Sequence, residues 1–155
     1  MAQASAPLWR RRLTAEDLNR GMADTLSGLL GMRVTAVEPD RLLGEMPVDS
    51  RHVQPWRILH GGASVALAET LGSLACYMAL PEGRRPVGLE INANHLSAVP
   101  EGGVVTAECR PLHVGRSTQV WQTEIRRADG RLVCVSRITC AVLDDPSTPA
   151  ASDSA

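Results

Sequence analysis

The sequence contains no lysine and no phenylalanine, and all sixteen of its basic residues are arginine. A coding bias explains that pattern at least as well as function does, so it carries no functional weight. An excess of charge of either sign is also missing, with 16 basic against 17 acidic side chains and a formal net charge of −1. Nucleic acid and membrane surfaces are therefore not expected as main partners. No apolar run reaches the roughly 18 residues of a membrane span. The opening stretch MAQASAPLWRRRL has no apolar segment after its basic cluster, so no secretory signal is expected. The four cysteines, Cys76, Cys109, Cys134 and Cys140, form no CxxC pair and stand near no histidine at zinc-ligand spacing. They read as small core residues, with no metal expected and a reducing cytoplasm as the expected compartment. No internal repeat is present.

What remains is an ordinary globular composition, 44% apolar and 21% charged over 155 residues. That length suits one domain with a real core. Thr14 can cap a helix, with Glu16 and Asp17 favoured in its first turn. Leu18, Met22, Leu26 and Leu29 continue at helical spacing, and Gly31 is a plausible stop. MRVTAVEP and LLGEMPV read as two short strands joined around Pro39-Asp40-Arg41. DSRHVQPWRI is a loop, in which Pro55 pushes Gln54 toward an extended conformation. The run from Gly61 to Leu80 reads as one long helix, closed by Pro81-Glu82-Gly83. Strands are expected over 86–98, 103–113, 117–127 and 131–143, separated by turns that include Asp129-Gly130.

Residues 1–12 read as a flexible N-terminal segment, 13–143 as the domain and the Pro/Ser/Ala-rich 144–155 as a disordered tail. Strands joined by short turns make an antiparallel sheet, and its apolar face needs a cover. The 61–80 helix is the obvious one. That helix is apolar nearly all round and should be covered on every side. A curved sheet supplies part of the cover, and a second copy of the chain is the natural source of the rest. The expected class is α+β, with a curved antiparallel sheet wrapped around a long central helix: the hotdog fold.

The chemistry concentrates in WRILHGGASVALAETLGS, residues 56–73. Two glycines at a helix start allow a close approach, and the first turn offers unpaired N–H groups at the positive end of the dipole. Such a place stabilises a carbonyl oxygen that becomes negative. His60 stands at the same entrance. Gly61-Gly62 also fit an ordinary tight turn into the helix. Glu69 is the one carboxylate among Val65, Ala66, Leu67, Ala68, Leu71 and Gly72. Burial there raises a carboxyl pKa and suits a general base. A surface carboxylate, or one paired with an arginine, is the alternative. Ser73 follows at i+4, on the same helix face. Gly61 and Glu69 are eight residues apart, about 12 Å of helix rise. If both act on one carbonyl, they must come from two different chains.

These residues carry a resemblance. QPWRILHGGASVALAETLGS is similar to the signature of hotdog-fold acyl-CoA thioesterases of the phenylacetate-thioesterase-like group. MPVDSR, VGLEINANHLSA, RPLHVG, QVW and GRLVCVSRIT resemble a narrower subgroup. It contains the 1,4-dihydroxy-2-naphthoyl-CoA thioesterase of menaquinone biosynthesis and the proofreading thioesterase of enterobactin biosynthesis. The Arthrobacter-type 4-hydroxybenzoyl-CoA thioesterases are also similar. The resemblance spans about residues 8–143.

It implies an acyl-CoA thioesterase with Glu69 as the catalytic carboxylate, acting as nucleophile or as base toward water. Gly61 then supplies the N–H that polarises the thioester carbonyl, and Gln54 and His60 hold the thioester and orient the site. Ser73 falls on a hydroxyl position in the partner subunit's half of the site. Gly88 and His95, Leu96, Ser97 and Ala98 fall where the family lines its substrate and CoA channel. His113, Val114, Gly115, Arg116, Ser117 and Thr118 fall on the turn that meets the nucleotide end of CoA, where Arg116 is a natural phosphate partner. No cofactor is implied beyond the coenzyme A of the substrate, and a homodimer with shared sites, assembled as a homotetramer, is expected.

The chain departs from close relatives at Trp56-Arg57, where they resemble Phe-Gly, and at Ser97, where some carry arginine. One extra residue falls around Gly102–Glu108. Which acyl group is taken, and whether a carrier protein or a medium-chain fatty acyl-CoA replaces the aryl-CoA, stays open. A hotdog hydratase and a non-catalytic acyl-CoA binding module are the rival readings. The Gln54/His60-Gly61/Glu69 set does not resemble the first, and the second has no need of Glu69.

Overall fold

The computed structural model describes residues 7–147. Two short helices, α1 (Ala15–Met22) and α2 (Leu26–Leu29), lead into strands β1 (Arg33–Glu38) and β2 (Arg41–Pro47). A loop then reaches the long helix α3 (Gly61–Ala79). Four strands follow: β3 (Arg84–His95), β4 (Val104–Val114), β5 (Thr118–Arg127) and β6 (Leu132–Asp144). The six strands form one sheet in the order β1-β2-β4-β5-β6-β3, with every neighbouring pair antiparallel. The curved sheet wraps α3, which is the hotdog arrangement. No helix among the described residues is long and apolar enough to cross a membrane.

Local chemistry explains the first elements. Thr14 and Asp17 form a reciprocal capping box, each side chain accepting from the other's backbone N–H. The apolar spacing Leu18, Met22, Leu26, Leu29 predicts one helix; the structure has two. At the break, the Thr25 hydroxyl and N–H both donate to the Met22 carbonyl, at 2.7 and 3.1 Å. Local bonds of this kind compete with the helix ladder, and Asp24 and Thr25 are weak helix formers.

The segment expected to be flexible is ordered where it is described. Trp9 stacks on the buried Trp121, with ring centroids 5.8 Å apart and planes 7° apart. Its indole N–H donates to the Glu38 carbonyl at 2.6 Å. Arg11 lies over the Tyr77 ring and donates to the carbonyls of Leu80, Pro81 and Arg84, tying off the C-terminal end of α3. An arginine is well matched to the free carbonyls and negative dipole end found there. The buried Trp121, the half-buried Tyr77 and a helix end together hold residues 7–12. Residues 1–6, and 148–155 of the expected tail, lie outside the described residues.

The core sits between α3 and the sheet. Leu67, Ala68, Leu71, Ala75, Cys76 and Met78 of α3 pack against Leu42, Met46, Val105, Trp121, Ile125 and Ile138. Each fully buried Leu or Ile contributes about 1.5–3 kcal/mol of transfer free energy. All four cysteines are buried thiols. Burial pushes the Cys109 thiol up to about 12. The helix comes so close to β6 that a Cβ on Gly72 would stand 2.4 Å from Ile138 Cγ2. Glycine at 72 is thus a requirement of the helix–sheet approach.

Two surfaces are left open. Strand β3 lies at the sheet edge, and its apolar residues Val87 and Leu89 are 36% and 64% exposed. The face of α3 that carries Glu69 is exposed, beside the β3 edge of the sheet. There the expectation of all-round cover is not met within one chain.

Candidate active site

The loop before α3 prepares the helix start. The His52 ring is 1% exposed, with Nε2 2.7 Å from the Leu30 carbonyl and Nδ1 accepting from the Asp49 N–H at 3.2 Å. Its own carbonyl receives the His60 N–H at 2.7 Å. Arg51 holds the Asp49 carboxylate through a side-chain and a backbone bond, which keeps that carboxyl far below the usual range. The chain therefore enters α3 along a fixed path. His52 was not singled out from the sequence, because only its burial reveals its part.

At the helix start His60 is the N-cap, and its Nδ1 accepts the Gly62 N–H at 2.8 Å. The N–H groups of Ala63 and Ser64 return to the His60 carbonyl. Of the first-turn donors, the Gly61 N–H has no intrahelical partner, as expected at position N1. His95, at the end of β3, packs directly on Gly61: a Cβ there would lie 2.8 Å from His95 Nε2. The two glycines are thus more than a turn. Gly62 leaves room for the capping ring, and Gly61 lets an imidazole approach the backbone.

Gln54, Gly61 and His95 to Ala98 line one cavity of about 390 Å³, together with Ile58, Leu59, Ser64 and Val133. Six of the candidate residues thus meet around the helix N-terminus. Ser97 faces this space, but its hydroxyl donates to the Leu132 carbonyl at 2.6 Å and fixes the strand end. Ser64 is a lining residue that the sequence reading missed. It is 1% exposed and one turn along α3 from Gly61; that i+3 spacing was the available signal.

Glu69 and Ser73 are elsewhere. They line a second cavity of about 410 Å³ with Met22, Leu26, Ser27, Ala66, Thr70 and Leu74. The two cavities share no residue. Glu69 is exposed in the single chain, so the burial argued from its apolar neighbours in sequence is corrected. Of those neighbours Leu67, Ala68, Leu71 and Gly72 are buried against the sheet, whereas Ala66 shares the open side with the carboxylate. Gly88 belongs with it: a Cβ on Gly88 would lie 3.6 Å from Glu69 Oε1. Next to Gly88 the β3–β6 register slips, between Gly88 and Glu90.

The β4–β5 turn forms a third place. Val114, Gly115 and Arg116 line a cavity of about 520 Å³ at the C-terminal end of α3. Arg10, Arg84 and Gln119 complete its polar wall. His113, Ser117 and Thr118 belong to the same turn but do not line the cavity. Arg10 and Arg84 were not foreseen, since they stand far from Arg116 in sequence and meet it only through the fold. Nineteen residues of α3, about 28 Å, separate this cavity from the first.

Residues 57–134, which include Gly61, Glu69, Ser73 and His95, match the Thioesterase superfamily. The chain belongs to the thioesterase superfamily. This thioesterase is 48% identical over 136 residues to the 1,4-dihydroxy-2-naphthoyl-CoA hydrolase of Escherichia coli K12, across 88% of this chain and 99% of that protein. It is 47% identical over 135 residues to the proofreading thioesterase EntH of Klebsiella pneumoniae, across 87% and 98%. A crystal structure of a Haemophilus influenzae thioesterase superposes with a TM-score of 0.86 at 47% identity, covering 88% of this chain and 95% of that one. The chain is therefore a thioester hydrolase with the hotdog fold.

Proposed function

We propose that this thioesterase hydrolyses an aromatic acyl-CoA, of hydroxybenzoyl or dihydroxynaphthoyl type, to the free acid and coenzyme A. Its active sites are shared between two copies of the chain. The observation that carries this reading is the separation of the two half-sites. Gln54, Gly61 and His95 surround one cavity, and Glu69 and Ser73 line another with no residue in common. One carbonyl within a single chain cannot reach both.

The open edge of β3 supports a second copy as the completing part. An unpaired twelve-residue edge with exposed apolar side chains needs a partner strand or a cover. Antiparallel pairing of β3 with its twofold mate sets the first half of one strand against the second half of the other. That carries Glu69, beside Gly88, toward the His95 end of the partner.

In the shared site the thioester carbonyl oxygen accepts from the Gly61 N–H at the positive end of α3, with Gln54 as a second donor. Charge developing on that oxygen is stabilised there. Glu69 of the other chain attacks the carbonyl carbon or takes a proton from an attacking water. The C–S bond breaks, and the coenzyme A thiolate leaves and is protonated. The attack by Glu69 gives a mixed anhydride that water then opens; the base route gives acid directly. Neither route uses a cofactor. The arginine-lined cavity at Arg10, Arg84 and Arg116 favours a ligand with phosphates, which coenzyme A carries as a pyrophosphate and a 3′-phosphate. The aromatic class follows the name of the Escherichia coli relative.

Thiol release from a panel of aryl-CoA, medium-chain acyl-CoA and carrier-bound aryl substrates tests the substrate class. The highest kcat/KM is expected for aryl-CoA; a higher value for fatty acyl-CoA or for the carrier-bound form overturns it. In a single turnover in oxygen-18 water, label in Glu69 selects the anhydride route.

A further inference from the structure

We infer that Arg57 and Glu101 form a clamp that aims the Gln54 carboxamide into the cavity at the start of α3. The proposal rests on the reading of Gln54 as a thioester-holding group. Arg57 has φ of 60°, and it is the sole non-glycine residue with positive φ among the described residues. An L-residue in this region is strained, and such a residue persists only where its surroundings over-determine it.

Here they do. Gln54 N–H donates to the Ile58 carbonyl and Arg57 N–H to the Gln54 carbonyl, both at 2.9 Å. Glu101 N–H donates to the Arg57 carbonyl at 3.1 Å, and Ile58 bridges to Pro100. The Arg57 guanidinium closes the set on the Glu101 carboxylate. Burial does not hold this turn: Trp56 is 82% exposed. Hydrogen bonds and the ion pair hold it instead.

The consequence falls on Gln54. The turn points the Trp56 N–H at Gln54 Oε1, and the two are hydrogen-bonded. A backbone N–H can only donate, so it fixes which end of the carboxamide is oxygen. Nε2 and its two hydrogens are left for the cavity that Gln54 lines with Gly61. An amide aimed the other way would present an acceptor to the thioester oxygen and repel it. Arg57 and Glu101 are thus positioning residues; neither lines that cavity.

Steady-state kinetics of four variants of the full chain test the clamp, with an acyl-CoA that the wild type turns over. Arg57→Ala keeps the strained φ and loses the ion pair; Glu101→Gln loses the ion pair alone. Both are expected to lower kcat about threefold to tenfold with little change in KM, as a displaced positioning group does. Arg57→Gly removes the strain, because glycine adopts φ near 60° freely, and should recover most of what Arg57→Ala loses. Melting temperatures report that each variant is folded. Equal losses in Arg57→Ala and Arg57→Gly, chiefly in KM, would make Arg57 a substrate contact and overturn the clamp. Wild-type kinetics for both Arg57→Ala and Glu101→Gln overturn it as well. Gln54→Ala is the control: wild-type turnover in that variant removes the reading beneath the proposal, and the proposal with it.

Discussion

The N-terminal end of α3 and its exposed flank are built by opposite means. At the end, a loop tied by His52, a capping His60 and a packed His95 fix one backbone N–H in space. On the flank, a single carboxylate projects from a regular helix, and no ion pair among the described residues takes it up. The helix end rests on many weak constraints on the backbone; the flank presents the Glu69 carboxylate with the Ser73 hydroxyl one turn on. Preorganised donors cost the protein structure, whereas an exposed acid costs almost nothing until a partner covers it. Damage to the two halves should therefore look different.

The largest effect is expected at Glu69. Glu69→Gln keeps shape and removes charge, and should lower kcat by about 10²–10⁴, the range lost with a general base. Because Glu69 is exposed in the chain, thermal melting should show no loss of stability. A variant within a few-fold of wild type defeats the assignment.

Gly61→Ala comes next. Its Cβ would meet the His95 ring at 2.8 Å, so the ring must swing away. The expected loss in kcat/KM is about tenfold to a hundredfold. If displacement of His95 is the cause, the penalty shrinks in a His95→Ala background; the double-mutant cycle measures that coupling. Additive losses would break the link between the two residues.

Gly72→Ala separates stability from activity. Ala gains about 0.5–1 kcal/mol over Gly in a helix, but overpacking a core costs about 1–3 kcal/mol. With Ile138 Cγ2 at 2.4 Å, the clash should win. The melting temperature should drop by a few degrees while kcat of the folded enzyme holds.

The smallest effect concerns the entry loop. Arg51 holds the Asp49 carboxyl below its ordinary value. A group lowered in this way contributes stability that is complete above the unfolded value of about 4. That contribution disappears as pH falls through the folded value. Asp49→Asn should therefore melt slightly lower than wild type at pH 7 and no differently in strong acid. A difference that persists in acid would mean that Asp49 acts through packing and not through charge.

The fold was legible because its strands, turns and capped first helix each have a local cause. Thr14-Asp17 and Asp129-Gly130 are chemistry within four residues. The break at Thr25 was not legible, since the apolar spacing runs straight through it and only a hydroxyl bond marks it. At the site, Gly61 and Glu69 line different cavities, and their separation was readable from helix geometry. The exposure of Glu69 was not, because a list of apolar neighbours does not say which way each one faces. Arg10 and Arg84 escaped for a related reason, since they meet Arg116 only through tertiary packing, whereas Ser64 had its i+3 spacing from Gly61 as a signal. Arg57 was visible as an unusual residue, but its positive φ belongs to the backbone and leaves no trace in composition.

The central claim is that each active site is completed across two chains. It is tested by a heterodimer isolated with two affinity tags, one chain carrying Glu69→Gln and the other Gln54→Ala with Gly61→Ala. One of its two sites then keeps Gln54 and Gly61 from the first chain and Glu69 from the second, while the other site loses all three. The account predicts about half of wild-type turnover per dimer from two parents that are each nearly inactive. A heterodimer no more active than its better parent would contradict it.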